Sequence, residues 1–185
     1  MKKILGIVGS PRRNGNTHVL VSRILKGARA EGANTETILL KDLNILECDG
    51  CYACWKGKHV CSKADDMRDL YPKIMDADAI VLGTPVYWFG PTAIMKSFID
   101  RFTYFSCPAN RKSIRNKPAV IAVPFADRTY KTSALIVEFF AKSLDYLEMR
   151  LIDKILVPGV TKRGEVRTKK KVMTTCYELG RRLAI

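Results

Sequence analysis

The sequence predicts an α/β protein in which one open parallel sheet is covered by helices on both faces. Short apolar runs alternate with amphipathic segments along the whole chain. Most of these runs are almost wholly apolar, as expected of strands that are buried on both faces. No linker or repeat interrupts the 185 residues. A single domain over residues 1–185 is therefore expected, and it is large enough for a full hydrophobic core.

The first half of the chain begins with an apolar strand at Lys3–Gly9, which stops at a Gly-Ser-Pro turn. A helix is predicted at Thr17–Arg29, because its apolar residues recur near helical spacing and Gly32 supplies a stop signal. The remaining elements of this half are a strand at Thr35–Leu40, a cysteine-rich loop at about 44–64, a helix from Asp65 to about Met75 and a strand at Asp78–Gly83.

The second half alternates in the same way, and Pro91 occupies a favourable first-turn position for the next helix. The predicted elements are a helix at Thr92–Phe102, a strand at Lys117–Pro124, an amphipathic helix at Thr132–Leu147, a strand at Arg150–Val157 and a basic closing helix at Glu165–Leu183. Five strands in one open sheet favour the flavodoxin-like order 2-1-3-4-5, a three-layer sandwich.

The chain carries a formal net charge of +14, with basic density in Arg111–Lys117 and Thr161–Lys171. Such an excess could bind nucleic acid, an anionic cofactor or an acidic protein, or could be a solvated face. Neither stretch contains the aromatic residues that nucleic-acid modules use, so nucleic acid is not an expected partner. No apolar run is long enough for a membrane span or a signal peptide. A cytoplasmic protein with reduced thiols and no membrane partner is expected.

The segment Gly9–Thr17, GSPRRNGNT, joins the first strand to the first helix. In a parallel sheet this position offers backbone N–H groups and a helix N-terminus to a phosphate. Ser10, Asn16 and Thr17 add hydroxyl and amide groups, and Arg12 adds a charged donor. An ordinary strand–helix turn has a similar composition. The segment matches neither the Walker A motif nor G-x-G-x-x-G, which disfavours ATP and dinucleotides as ligands.

Three adjacent aromatic residues, Tyr87, Trp88 and Phe89, follow the third strand between Pro85 and Pro91. At the carboxyl end of a central strand, such a loop suits a planar ring system bound in the crevice of the sheet. A hydrophobic plug or a subunit contact is the alternative interpretation. A phosphate at the first loop and a flat ring at this one indicate a mononucleotide, and a flavin fits best.

Four cysteines in one short loop follow the spacing C-x2-C-x2-C-x6-C: Cys48, Cys51, Cys54 and Cys61. This spacing suits a 4Fe–4S cluster. Structural zinc usually uses two separated C-x2-C pairs, and a metal-free loop is the third possibility. His59 could replace a cysteine as ligand, although a lone loop histidine is more often solvated. Cys107 and Cys176 fit neither the spacing nor the loop and are expected to be ordinary buried cysteines.

Four segments in order resemble the NADPH-dependent FMN reductase-like flavoproteins, and within them the iron–sulfur flavoprotein branch. They are GSPRRNGNT, the cysteine loop closing on Asp65-Asp66-Met67, GTPVYW and KSFIDR at 96–101. The resemblance covers roughly the first hundred residues. It implies FMN, with phosphate contacts at Ser10, Arg12, Asn14, Asn16 and Thr17. It also implies ring contacts at Pro85, Val86, Tyr87 and Trp88. Residues 124–130 replace the glycine-rich turn that relatives often carry, so a third flavin contact stays open.

The resulting hypothesis is an FMN-dependent oxidoreductase whose 4Fe–4S cluster passes single electrons to or from FMN. No catalytic acid–base pair stands out. NAD(P)H or an acidic ferredoxin is the expected redox partner, and the resemblance implies a homodimer or homotetramer. The alternative enzyme is a cluster-free NAD(P)H-dependent FMN or quinone reductase. A zinc-stabilised nucleic-acid-binding module is the more distant alternative.

Overall fold

The computed structural model describes residues 1–185 and confirms the predicted fold class. Five parallel strands form one sheet in the order β2-β1-β3-β4-β5, which is the flavodoxin-like order. The strands are β1 Lys3–Val8, β2 Asn34–Leu39, β3 Ala79–Gly83, β4 Pro118–Pro124 and β5 Arg150–Val157. The central strands β1, β3 and β4 are almost entirely buried, which explains their continuous apolar sequences.

Seven α-helices cover the two faces of the sheet. They are α1 Asn16–Ala30, α2 Met67–Asp76, α3 Ala93–Asp100, α4 Thr103–Ser106, α5 Pro108–Arg111, α6 Ala134–Tyr146 and α7 Lys170–Ala184. One core layer joins the sheet to α1 and α7, and the other joins it to α2, α3, α4 and α6. None of the helices has the length and apolar character needed to span a bilayer.

The α1–α7 pair packs with the two backbones in direct contact. A Cβ atom added to Gly180 would lie 1.8 Å from the carbonyl oxygen of Ile24, and one added to Gly27 would lie 1.9 Å from that of Tyr177. Neither position can therefore accept a side chain without separating the helices. This contact holds the C-terminal half of α1 against α7.

Several predicted helix boundaries differ from the structure by a few residues. The helix predicted at Thr92–Phe102 is observed as Ala93–Asp100, and Pro91 lies outside its first turn. Thr92 is the N-cap residue, whose hydroxyl accepts the Met95 N–H at 3.3 Å. The predicted closing helix is divided into a 3-10 turn at Glu165–Thr168 and α7. In this turn the Glu165 carboxylate accepts the backbone N–H groups of Thr161 and Lys162, and Asn16 accepts the Val166 N–H.

Candidate functional site

The turn between β1 and α1 presents unpaired backbone N–H groups at the start of a 15-residue helix. The N–H groups of Asn16, Thr17 and His18 have no hydrogen-bond acceptor within the chain. No side chain caps this end of α1, and its first turn contains no acidic residue. A helix N-terminus of this kind attracts an anion through its dipole and its free N–H groups.

Gly15 lets the backbone of this turn fold closely on itself. A Cβ atom at this position would lie 2.9 Å from the Arg12 carbonyl oxygen and 3.1 Å from the Arg12 Cβ. The side chains of Ser10 and Thr17 beside it are 5% and 1% exposed. The turn is therefore a tight cradle of N–H and hydroxyl groups, and its donor chemistry fits a phosphate.

A cavity of about 270 Å³ opens above this cradle, at the carboxyl ends of β1, β3, β4 and β5. Parallel α/β sheets bind ligands at this edge. The lining residues are Ser10, Arg12, Gly15, Asn16, Thr17, Pro85, Val86, Tyr87, Pro124, Phe125, Ala126, Val160, Thr161 and Arg163. They include two arginines and no carboxylate, so the cavity suits an anionic ligand.

The structure brings together most of the residues predicted to contact FMN. Those that line the cavity are Ser10, Arg12, Asn16, Thr17, Pro85, Val86 and Tyr87. Asn14 and Trp88 do not line it. Asn14 has a positive φ of 55° and donates its N–H to His18 Nδ1 at 3.2 Å. The role of these nine residues in binding FMN remains a prediction.

The aromatic loop after β3 is a tight turn closed by two backbone hydrogen bonds between Tyr87 and Gly90, at 2.9 and 3.0 Å. Trp88 and Phe89 at its tip have φ values of 47° and 64°, a left-handed conformation that is uncommon for aromatic residues. The Trp88 side chain is 96% exposed, whereas Tyr87 lines the cavity. Of the two aromatic residues predicted to contact the ring, Tyr87 and Trp88, only Tyr87 therefore lines the cavity.

Two further walls of the cavity lie outside the predicted contacts. Pro124, Phe125 and Ala126 at the end of β4 line it, which places part of the 124–130 segment beside the other walls. Val160, Thr161 and Arg163, in the turn after β5, form the last wall. The one sequence signal for this turn was the basic stretch Thr161–Lys171, which is equally typical of a solvated face.

The cysteine loop is closed at its neck by a buried ion pair between Arg101 and Asp65. Their side chains are 1% and 0% exposed. Arg101 also donates to the Leu46 carbonyl at 2.9 Å, and Asp65 accepts the Leu46 N–H at 2.9 Å. Burial alone would raise the pKa of Asp65, but the hydrogen bonds from Arg101 and Leu46 hold that pKa below its ordinary value. Both ends of the loop are therefore fixed to α3.

The four loop cysteines lie in different surroundings. Cys54 is buried, Cys51 is exposed, and Cys48 and Cys61 are partly buried. Arg101 donates to Cys61 Sγ at 3.2 Å, whereas Cys51 Sγ lies 3.2 Å from Ser62 Oγ. Burial raises the pKa of the Cys54 thiol, and the nearby thiols of Cys61 and Cys48 raise it further.

The four thiols do not converge on one point in this arrangement. No group of three His, Cys, Asp or Glu side chains is placed to hold a metal ion. The set of four thiols has the donor chemistry of an iron–sulfur cluster, but their positions do not form a closed site.

Cys107, expected to be an ordinary buried cysteine, is 1% exposed and lies beside the cysteine loop. Its Sγ is 3.5 Å from His59 Nδ1, and Asn110 donates to the His59 carbonyl at 3.1 Å. These contacts attach the far part of the loop to α5. Cys176 is fully buried in α7, and burial raises the pKa of its thiol to about 12.

A larger cavity, of about 520 Å³, lies between the cysteine loop, α3–α4 and α6. Cys48, Thr103, Lys142 and Tyr146 are among its lining residues. None of the residues predicted to contact FMN lines it. The smaller cavity at the carboxyl edge of the sheet is therefore the better candidate for a nucleotide.

Comparisons with known proteins agree with this geometry. The family model described as NADPH-dependent FMN reductase matches residues 2–157. An iron–sulfur flavoprotein of Methanocaldococcus jannaschii is 42% identical over 99 residues, 54% of this chain and 51% of that protein. One from Archaeoglobus fulgidus is 46% identical over 99 residues, 54% of this chain and 48% of that protein. The matched segment thus spans about half of each relative's length.

Among solved structures, a flavodoxin from the domain Archaea superposes with a TM-score of 0.60 at 15% sequence identity. The superposition covers 100% of this chain and 96% of that one. At this identity the likeness concerns the fold alone.

Proposed function

The chain belongs to the NADPH-dependent FMN reductase family, in its iron–sulfur flavoprotein branch, and we propose that it is an FMN-dependent oxidoreductase. The observation that carries the proposal is the cavity at the carboxyl edge of the sheet. It combines a phosphate cradle, two arginines and the Pro85–Tyr87 wall in one continuous surface. A mononucleotide with a flat ring matches these groups better than any other common cofactor.

The chain's own residues bind and orient the cofactor. The free N–H groups of Asn16 and Thr17, with the Thr17 hydroxyl, would hold the phosphate at the start of α1. Pro85, Val86 and Tyr87 would form the wall beside the isoalloxazine ring. Bound FMN supplies hydride and single-electron chemistry. No residue of the cavity wall is a carboxylate or a histidine.

We further propose that Cys48, Cys51, Cys54 and Cys61 hold a 4Fe–4S cluster that exchanges single electrons with FMN. The spacing of the cysteines supports this assignment, as do the relatives that are named iron–sulfur flavoproteins. The neck formed by Arg101 and Asp65 would keep the loop attached to the domain while its thiols rearrange.

The proposed redox partner is NAD(P)H or an acidic ferredoxin, and the proposed assembly is a homodimer or homotetramer. The net charge of +14 supports docking of an acidic protein. Electron-transfer rates with a ferredoxin should then fall as ionic strength rises, because salt screens the attraction. Rates that are independent of ionic strength would contradict this docking mode.

The test of the proposed function is anaerobic purification followed by assay of flavin, iron and acid-labile sulfide per chain. We expect about one FMN with about four iron and four sulfide ions, the content of one cubic cluster. FMN without iron would favour the alternative, a cluster-free NAD(P)H-dependent FMN or quinone reductase. Absence of flavin would contradict the proposed function itself.

A matched pair of variants separates the two cofactors. Cys51→Ser removes one proposed ligand and should lower the iron content while the FMN content stays unchanged. Cys176→Ala removes a thiol that is buried in α7, away from the loop, and should change neither. Iron that stays at the wild-type level in Cys51→Ser would contradict the proposed ligand set.

A further inference from the structure

The turn after β5 shares a cavity with the phosphate cradle. Val160, Thr161 and Arg163 line the same space as Ser10 and Thr17. This turn lies beyond residue 157, where the family match ends, so the family match assigns it no role.

The turn is locked to the first turn of α1 by the side chain of Asn16. The Asn16 amide donates to the Lys162 carbonyl at 3.0 Å, and its side-chain oxygen accepts the Val166 N–H at 3.0 Å. Arg12 Nη1 adds a donor to the Thr161 carbonyl at 3.3 Å. Because Asn16 is the first residue of α1, these bonds hold the turn at a set position beside the free N–H groups of the helix.

The turn is also rigid within itself. The Glu165 carboxylate accepts the N–H groups of Thr161 and Lys162 at 2.7 and 2.8 Å. Gly164 has a φ of 70°, a left-handed conformation that glycine adopts without strain. The nearest carboxylate is thus engaged with the backbone of the turn, and it does not line the cavity.

Arg163 has no partner in the chain. Arg163 is an exposed residue that lines the cavity, and its guanidinium makes no salt bridge and no hydrogen bond with another residue. A guanidinium offers planar, paired donors that match a phosphate. The Arg163 guanidinium has no protein partner, and it shares the cavity with a helix N-terminus whose N–H groups are free. Together these groups can bind a phosphate.

We propose that Arg163 binds the terminal phosphate of the flavin and makes the cavity selective for FMN over riboflavin. The inference rests on the proposed FMN site and adds to it a residue and a specificity. Riboflavin has the same ring and ribityl chain but lacks the phosphate, so it gains nothing from Arg163.

The test is fluorescence titration of the flavin-free chain with FMN and, separately, with riboflavin. In Arg163→Gln the dissociation constant for FMN should rise about 10- to 100-fold, the loss expected for a charge-assisted contact. The constant for riboflavin should change less than about twofold, which also shows that the variant is folded. Arg163→Lys should recover part of the affinity for FMN.

Lys162→Gln is the matched control, because it removes one positive charge from the same turn at a side chain that does not line the cavity. This variant should raise the dissociation constant for FMN less than about threefold, because it removes only a screened long-range attraction. The inference would be overturned if Lys162→Gln and Arg163→Gln weakened FMN binding equally. It would also be overturned if Arg163→Gln lost equal affinity for FMN and riboflavin, or lost no affinity for FMN. If the wild-type chain binds neither flavin, the proposed function fails and the inference fails with it.

Discussion

Arg101 and Asp65 form an ion pair that is almost completely removed from solvent and lies at the neck of the cysteine loop. Arg101 ends α3, and Asp65 precedes α2, so the pair connects two helices as well as the two ends of the loop. The pair therefore holds the loop and the two helices together. It also lies next to Cys61, because Arg101 donates a hydrogen bond to Cys61 Sγ at 3.2 Å.

Removing one member of this pair should destabilise the fold strongly. Arg101→Met leaves the Asp65 carboxylate buried without its partner, and the free energy of unfolding in urea should fall by about 3–5 kcal/mol. Lys96→Met breaks the exposed pair with Asp100 on the same helix and should cost at most about 0.5 kcal/mol. The double variant Arg101→Met/Asp65→Leu should regain most of the loss. A single variant as stable as the wild type would refute this role.

Gly180→Ala should separate α7 from α1. The new Cβ would lie 1.8 Å from the Ile24 carbonyl oxygen, which belongs to backbone and cannot rotate away. We expect a loss of about 1–3 kcal/mol or more in the free energy of unfolding. Thr174→Ala, at an exposed position of the same helix, should be neutral or slightly stabilising. Equal stabilities of the two variants would show that the helices do not pack as described.

His18 should make the protein less stable in mild acid. Burial lowers the pKa of His18, and the charges of Arg13 and Arg167 lower it further. Because the folded-state pKa lies below the ordinary 6.5, the unfolded chain takes up the proton first as the pH falls. Stability is therefore full above pH about 6.5 and decreases as the pH falls through the folded-state pKa.

Urea unfolding at several pH values checks this assignment. His18→Gln should flatten the pH dependence between about pH 7 and pH 5, whereas His59→Gln, the substitution of the other histidine, should leave the His18 contribution in place. An unchanged pH profile in His18→Gln would contradict the assignment, as would an NMR titration that places its pKa above 6.5.

Alkylation of the metal-free chain should follow the exposure of the six thiols. Cys51 is exposed and should react first, whereas Cys176 is fully buried with a pKa raised to about 12 and should react last. Peptide mass spectrometry after brief treatment with iodoacetamide gives the order. Early modification of Cys176 would show that α7 opens readily. With a cluster bound, Cys51 should become protected.

The fold was predictable because its elements carry strong local patterns. β5 occupies the residues that the sequence predicts, Arg150–Val157, and the parallel order follows from five apolar runs that alternate with helices. The four-residue helices α4 and α5 were not predicted, since a single helical turn shows no apolar period. The 3-10 turn before α7 was missed because it depends on Asn16, which is 150 residues away from Val166.

The candidate site was predictable where one loop carries the chemistry. The β1–α1 turn and the Pro85–Tyr87 wall each lie within a few residues, so their composition alone indicated a phosphate and a ring. Arg163 was not identified, since its place depends on contacts between distant segments and a basic stretch is equally typical of a solvated surface. Spacing indicated the loop cysteines, but it could not show that Cys51 is exposed while Cys54 is buried.

The most direct test of the central claim is an NMR titration of the ¹⁵N-labelled chain with FMN. The account predicts that the amide signals of Asn16, Thr17 and His18 shift and saturate together at about one FMN per chain, because their free N–H groups receive the phosphate. The amides of Ser143 and Tyr146, at the larger cavity beside α6, should stay in place. Shifts at Ser143 and Tyr146 without shifts at the start of α1, or no saturable shifts at all, would contradict the account.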